Sequence, residues 1–164
     1  MNTDRIEKEV LLRAPLERVW RAISDADEFG RWFGVRFDGP FVEGATVTGV
    51  MTPTAVDDRV AGMQEPYAGQ ADSWQVVAVE PKRRLAFRWH PYAVEPGADY
   101  SAEPTTLVEF TLTEADGGVL LRIVESGFDA VPAARRAPAF EANSEGWALQ
   151  AELIGKYLAL DEKV

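Results

Sequence analysis

The chain reads as an α+β fold: a curved, seven-stranded antiparallel sheet wrapped around a long C-terminal helix, with two short helices after the first strand. Three observations carry this. Apolar residues recur at helical spacing just after the first strand-like run, the period falls to two from Val35 onward, and helical spacing returns over the final third. A chain of 164 residues can bury about 70% of its unfolded surface around one core, so a single domain over residues 1–164 is expected.

"RIEKEVLL", residues 5–12, alternates imperfectly and ends in β-formers, which predicts the first strand. Pro15 suits the first position of a helix, and Leu16, Val19, Trp20 and Ile23 fall on one face as far as Ser24. Asp25 followed by Glu28 forms an Asp version of the capping box and predicts a second short helix. Its apolar face is Phe29, Trp32 and Phe33, within "DEFGRWFG". Each buried aromatic removes roughly 150–250 Å² from water, so these three either plug a core or rim a cavity. The expectation is that at least one rims a cavity while the others anchor the helix.

Six further strands follow: "VRFDG", "ATVTGVM", "DSWQVVAV", "RRLAFRWH", "TTLVEFTLT" and "GVLLRIVES". Residues 53–71 and 91–104 are longer connections, which in compact domains are often functional. The second contains Pro91, Pro96 and Pro104 with Tyr92 and Tyr100, and is expected to act as a lid over a cavity mouth. From about residue 132 to 160 the pattern is helical, with a kink or a break expected at Pro138 and "NSEG". Trp147, Ala151, Ile154 and Leu158 make one apolar stripe and Leu149, Leu153, Tyr157 and Leu160 the next, a face wide enough to need a sheet as partner.

Strand phase then assigns an inward side. Trp74 and Val76, Leu85 with Phe87 and Trp89, Val108 with Phe110 and Leu112, and Leu121 with Ile123 share parity, while Arg84, Arg88, Glu109 and Arg122 point to water. Every one of these apolar residues is also readable as plain core. Two polar residues fall on the inward side: Glu125, two positions beyond Ile123, and Gln150, in the middle of the helix's apolar face. Burying them unpaired would cost several kcal/mol, so they imply water, partners or a ligand. The competing reading has Glu125 reaching solvent at a strand end and Gln150 bonding a backbone group. The candidate ligand-binding residues are therefore Trp32, Phe33, Trp74, Phe87, Trp89, Phe110, Ile123, Glu125, Trp147, Gln150, Ile154 and Tyr157. Glu125 and Gln150 would form the polar end, a neutral Glu125 carboxyl donating to a ligand carbonyl.

Composition removes whole classes of function. Seventeen basic against twenty-seven acidic residues leave a formal charge of −10, which repels nucleic acid and anionic membrane. The absence of cysteine excludes disulfides, iron–sulfur clusters and thiolate zinc sites. A lone histidine, His90, builds no His-rich metal site; no calcium-loop motif and no G-x-G-x-x-G after a strand occurs. No metal and no cofactor is expected. A charged N-terminus and the lack of any long apolar run lead to a cytoplasmic expectation. His90 is out of phase with Trp89 and precedes Pro91, so it is expected to face outward or to end its strand.

The element order, together with "APLERVWRAISDADEFGRWFG", "VEPKRRLAFRW" and "GWALQAELIGKYL", resembles the helix-grip (START-like, SRPBCC) superfamily. Within it, the chain is similar to the bacterial branch related to the activator of the heat-shock-protein-90 ATPase. The resemblance spans essentially the whole chain and rests most on Val19-Trp20, Trp32, Trp89 and Gly146-Trp147. It implies a bent sheet gripping the last helix, with an internal cavity that often takes a small apolar or aromatic molecule. It also implies diverse functions, since function belongs to the site rather than the fold. The eukaryotic activator has an additional N-terminal domain for its chaperone, for which 164 residues leave no room. Three functional expectations follow, in order. The first is binding of a small hydrophobic or aromatic ligand. The second is a protein-interaction module with a chaperone partner, whose aromatics are only core. The third is a cyclase or dehydratase acting on an aromatic, polyketide-like substrate, with Glu125 and Tyr157 or an arginine as acid and base.

Overall fold

A computed structural model describes residues 4–92 and 98–161. Seven strands, β1 (Arg5–Leu12), β2 (Val35–Phe37), β3 (Thr46–Met51), β4 (Ala71–Glu80), β5 (Arg84–Trp89), β6 (Thr106–Ala115) and β7 (Gly118–Ser126), form one antiparallel sheet. Its order is β1-β7-β6-β5-β4-β3-β2, so the first strand closes against the last. Between β1 and β2 lie α1 (Leu16–Ser24) and α2 (Ala26–Phe33); α3 (Asp58–Gln64) joins β3 to β4; and α4 (Ala133–Asp161) ends the chain. The curved sheet holds α4 on its inner side, with α4 against β1, α1 and α2.

Strand phase predicts the inner face well. Trp74, Val76, Leu85, Phe87, Val108, Phe110, Leu112, Leu121 and Ile123 are all buried. On the outer face Arg84 is held by Glu109 at 2.8 Å and Glu80 at 3.0 Å. Within α4 the first predicted stripe, Trp147, Ala151, Ile154 and Leu158, is buried throughout, and the second is partial, with Leu153 buried and Leu160 half exposed. The fully buried Phe29 sits at the centre, its ring 4.7–6.5 Å from those of Trp32, Phe33, Phe37, Phe41, Trp74, Phe87 and Phe110. Such aromatic pairs add about 0.5–1.5 kcal/mol each beyond their area burial.

Asp25 caps α2 by accepting from the Glu28 N–H at 3.0 Å. Only that half of the capping box forms, because the Glu28 carboxylate turns to Arg18, Arg21 and Tyr157. Gly34 ends α2 in the left-handed conformation, φ 95°, with its N–H on the Gly30 carbonyl.

Two expectations are corrected here. The last helix runs unbroken from Ala133 to Asp161. Pro138 lies in its second turn, where the lost N–H would have reached only the Ala134 carbonyl of the first, so the helix absorbs it. Residues 53–71 are not a bare loop: they contain α3, capped by Asp57 accepting from the Val60 N–H at 3.0 Å, and a 3₁₀ turn at Glu65–Tyr67. Too few apolar residues in "DRVAGMQ" give a period for this helix to be read. The segment straps α2: Gln64 donates to the Phe33 carbonyl at 3.0 Å and Thr54 Oγ1 to the Trp32 carbonyl at 2.8 Å.

Candidate functional site

The aromatic trio of α2 divides its labour. Phe29 and Trp32 have no exposed surface, and the Trp32 indole donates to the Ala22 carbonyl at 2.9 Å, locking α2 to α1. Phe33, at the end of the helix, is the one that reaches a cleft. Its ring lies 5.5 Å from Trp74, 6.1 Å from Trp89 and 5.9 Å from Trp147. The cleft opens between β3, β4, the end of β5 and α4, and encloses about 180 Å³. Phe33, Trp74 and Trp89 wall it; Asp72, His90, Asn143 and Gln150 are polar groups along it. A smaller hollow of about 70 Å³ shares Phe33, Trp89, Asn143 and Gln150 and adds Trp147. Gly49 borders the cleft, and a Cβ there would come within 2.9 Å of Trp74 Nε1.

Beneath this wall lies Glu125, fully buried as its strand phase predicts. Oε1 accepts from Trp147 Nε1 at 2.8 Å and Asn143 Nδ2 at 2.9 Å; Oε2 accepts from Trp89 Nε1 at 2.7 Å and Thr106 Oγ1 at 2.5 Å. Burial pushes the carboxyl above the usual carboxylate range, against the downward pull of these four bonds. All its acceptor capacity is spent on the protein. The expected role of Glu125 as a donor to a ligand carbonyl is therefore corrected: it holds the two indoles that face the cleft and does not line the cleft itself.

Gln150 does line it. Its Nε2 donates to the Phe33 carbonyl at 3.0 Å, joining α4 to α2. Its Oε1, by contrast, is buried and, among the described residues, is the one buried side-chain polar atom without a hydrogen-bond partner. A buried acceptor left unpaired costs about 1–3 kcal/mol.

Five other candidates lie elsewhere. Trp32, Phe87, Phe110, Ile123 and Ile154 are at most 2% exposed and pack in the aromatic and aliphatic core away from the cleft. Tyr157 is corrected as well. Two turns beyond Gln150, it faces α1 and α2, where its hydroxyl donates to Glu28 Oε1 at 2.8 Å and its ring carries the Arg18 guanidinium at 5.2 Å. Burial, and then the Glu28 contact, push its phenol up. Glu125 and Tyr157, offered as an acid and base pair, thus have separate sets of partners. Around Phe29 the interior is packed with rings, and the cleft walled by Phe33, Trp74 and Trp89 lies toward one end of the sheet.

His90 ends its strand, as expected, but its place in the cleft is what sequence reasoning missed. It follows β5 directly, and Asp72 at the start of β4 grips it twice: Oδ2 accepts from the His90 backbone N–H at 3.1 Å and Oδ1 faces Nδ1 at 2.9 Å. The pair lines the cleft. Asp72 shares parity with Trp74 and Val76, which was the available signal that it points inward. From the other side Arg135 of α4 secures the connection after β5, donating to the carbonyls of Pro91 and Tyr92 at 3.1 Å and to Glu103 at 2.7 Å, with Tyr100 stacked at 4.7 Å. Residues 93–97, the middle of the expected lid, lie outside the described residues.

A sheet gripping a helix beside an aromatic-walled cleft defines a helix-grip protein. Residues 13–159 match the family described as Activator of Hsp90 ATPase homolog 1-like protein, and the chain belongs to it. No curated protein matches the sequence. Solved structures share the fold. DynU16, a protein of the dynemicin biosynthetic locus, is 24% identical with a TM-score of 0.67 over 95% of this chain, which spans about half (47%) of DynU16. Protein MLL2253 from Mesorhizobium loti is 22% identical, TM-score 0.68, over 94% of this chain and 96% of its own. A solution structure from Arthrobacter aurescens is 17% identical, TM-score 0.72, over 97% and 89%. Among the described residues no helix is long and apolar enough to cross a membrane.

Proposed function

We propose that this protein binds a small apolar or aromatic molecule in the cleft walled by Phe33, Trp74 and Trp89. The observation that carries the reading is the combination of those rings with the unpartnered, buried Oε1 of Gln150 at the cleft's edge. A volume of about 180 Å³ suits a ligand of single-ring size, since an apolar cavity of about 150 Å³ accepts benzene. Trp74 and Trp89 offer faces for stacking, and Gln150 offers orientation. The working set is Phe33, Trp74, Trp89, Trp147 and Gln150, with Glu125 as the residue that positions the indoles. A cytoplasmic setting and a single domain over residues 1–164 belong to this proposal.

Native mass spectrometry of the purified protein tests it directly, by the mass of a co-purified molecule. The control is Met51→Trp. Met51 is partly exposed, shares the inward parity of Val47 and Gly49 and borders the cleft, so an indole there fills the space without disturbing the core. Loss of the adduct in this variant is expected; an adduct equally abundant in both proteins would refute the assignment. A chaperone partner is the second reading, favoured by the ring-filled interior around Phe29. It predicts that the core variant Trp32→Ala, and not Met51→Trp, alters any effect on a chaperone ATPase.

A further inference from the structure

The polar atoms around the cleft differ in what they can still do. The Trp89 and Trp147 indoles are spent on Glu125, while Asn143 Nδ2 gives Glu125 one of its two N–H groups and Gln150 Nε2 gives one of its two to the Phe33 carbonyl. Two acceptors stand out. Gln150 Oε1 has no partner. Asp72 can only accept, so the His90 nitrogen facing it at 2.9 Å carries a proton, and in the neutral ring Nε2 is left as an acceptor with no partner among the described residues. Trp74 Nε1, above Gly49, is a donor on the same wall that makes no hydrogen bond among the described residues, and the second N–H groups of Asn143 and Gln150 add to it.

We propose that the cleft is selective for a neutral single-ring phenol, whose hydroxyl is read through acceptance by Gln150 Oε1 or His90 Nε2 and donation by Trp74 Nε1. The inference rests on the reading of the cleft as an aromatic site. A hydroxyl both donates and accepts, matching the free atoms; an ether lacks the donor, and a hydrocarbon would leave Gln150 Oε1 unpaired in a drier site. A carboxylate is opposed by Asp72 on the same wall and by the chain's formal charge of −10.

The test is a chemical-shift titration of the full chain with phenol, anisole, toluene and benzoate, followed at the indole N–H signals. Phenol is expected to bind about tenfold more tightly than anisole or toluene, the value of one buried hydrogen bond, and benzoate more weakly than any of them. Gln150→Leu should bring phenol and anisole level. Asp72→Asn supplies an independent arm. The Asn oxygen keeps the His90 backbone N–H, so its NH₂ faces Nδ1, moving the ring proton to Nε2 and turning that acceptor into a donor. Phenol selectivity should fall there while toluene binding persists. Equal affinity for phenol, anisole and toluene in the parent would overturn the phenol inference and leave the aromatic site standing. Failure of every ring probe to bind would overturn the aromatic site and this inference with it. Selectivity unchanged in both variants would overturn the roles given to Gln150 and His90.

Discussion

The indole N–H of Trp147 lies 2.8 Å from Oε1 of Glu125, a carboxylate with no exposed surface. Trp147 comes from α4 and Glu125 from β7, so this bond ties helix to sheet inside the core. The same carboxyl group takes the Trp89 indole from β5, which makes one buried side chain the fastening for two walls of the site. Three of its four partners, the two indoles and Asn143 Nδ2, act only as donors here; Thr106 alone can reverse its hydroxyl.

Glu125→Gln is consequently not a silent isostere. One carboxylate oxygen becomes an NH₂, and whichever side it takes, it meets an indole N–H, donor against donor. A loss of about 1–3 kcal/mol is expected, with shifted indole N–H signals for Trp89 and Trp147. Denaturant unfolding measures it, and a loss below about 0.5 kcal/mol would contradict the network.

The raised Glu125 carboxyl fixes the sign of a pH effect. Its folded pKa exceeds the unfolded one, so the native state binds the proton more tightly. The contribution is fully present below the ordinary carboxylate pKa and is lost as pH rises through the folded value. Thr106 Oγ1, 2.5 Å from Oε2, is the partner able to accept from the protonated acid. The stability of the parent relative to Glu125→Leu should thus fall as pH rises through that range. A difference that grew with pH would show the carboxyl to be depressed instead.

Trp32→Ala and Phe33→Ala should separate core from rim. Trp32 is fully buried and bonds the Ala22 carbonyl, and its truncation should cost about 3–5 kcal/mol while the rings that wall the cleft stay in place. Phe33 stands between Trp74, Trp89 and Trp147, and its truncation should open the cleft and weaken ring binding as well as stability. Urea unfolding together with toluene titration distinguishes them; equal binding loss in both variants would put Trp32 back at the rim.

Much of this was legible in the sequence because periodicity reports burial. A period of two placed Trp74, Phe87 and Phe110 on the inner face, and a period of 3.6 placed Trp147 and Ile154 opposite them. Periodicity says which side a residue takes but not what meets it there. Phe87 and Trp89 share phase, yet one is in the core and the other at the cleft, since position along a strand decides distance from the sheet's open end. Tyr157 fell on the helix's apolar face but two turns past Gln150, where α1 and α2 cover it. The partners of Glu125 come from β5, β6 and α4, and pairings across such separations in the chain leave no local signal. His90 was not legible as a cleft residue because strand phase stops applying once the strand ends, and Asp72 then sets its direction.

Arg135 should govern the order of the connection after β5. It joins the Pro91 and Tyr92 carbonyls at one end to Glu103 at the other, and Tyr92 borders the cleft. Removing the guanidinium leaves two backbone carbonyls and a carboxylate to be solvated separately. In Arg135→Ala, amide exchange over residues 98–103 should quicken by about tenfold, equivalent to roughly 1.4 kcal/mol of local stability, with β6 and β7 unchanged. Unchanged exchange there would mean that the Arg135 contacts do not hold the segment.

Pro138 tests how α4 tolerates a break in its hydrogen-bond ladder. It is exposed, lies in the second turn, and deprives the Ala134 carbonyl of its bond. Pro138→Ala restores that N–H and replaces the poorest helix former with the best, a difference of about 3 kcal/mol in a helix interior and less near an end. Against this, Ala enlarges the freedom of the unfolded chain, which offsets about 0.4–1 kcal/mol. The net expectation is a gain of about 1 kcal/mol, read as a higher unfolding midpoint with ring binding unaltered, because the cleft begins at Asn143, more than a turn further on. A destabilised Pro138→Ala would show that the proline ring itself packs usefully on its neighbours, and that the helix start depends on the proline rather than merely surviving it.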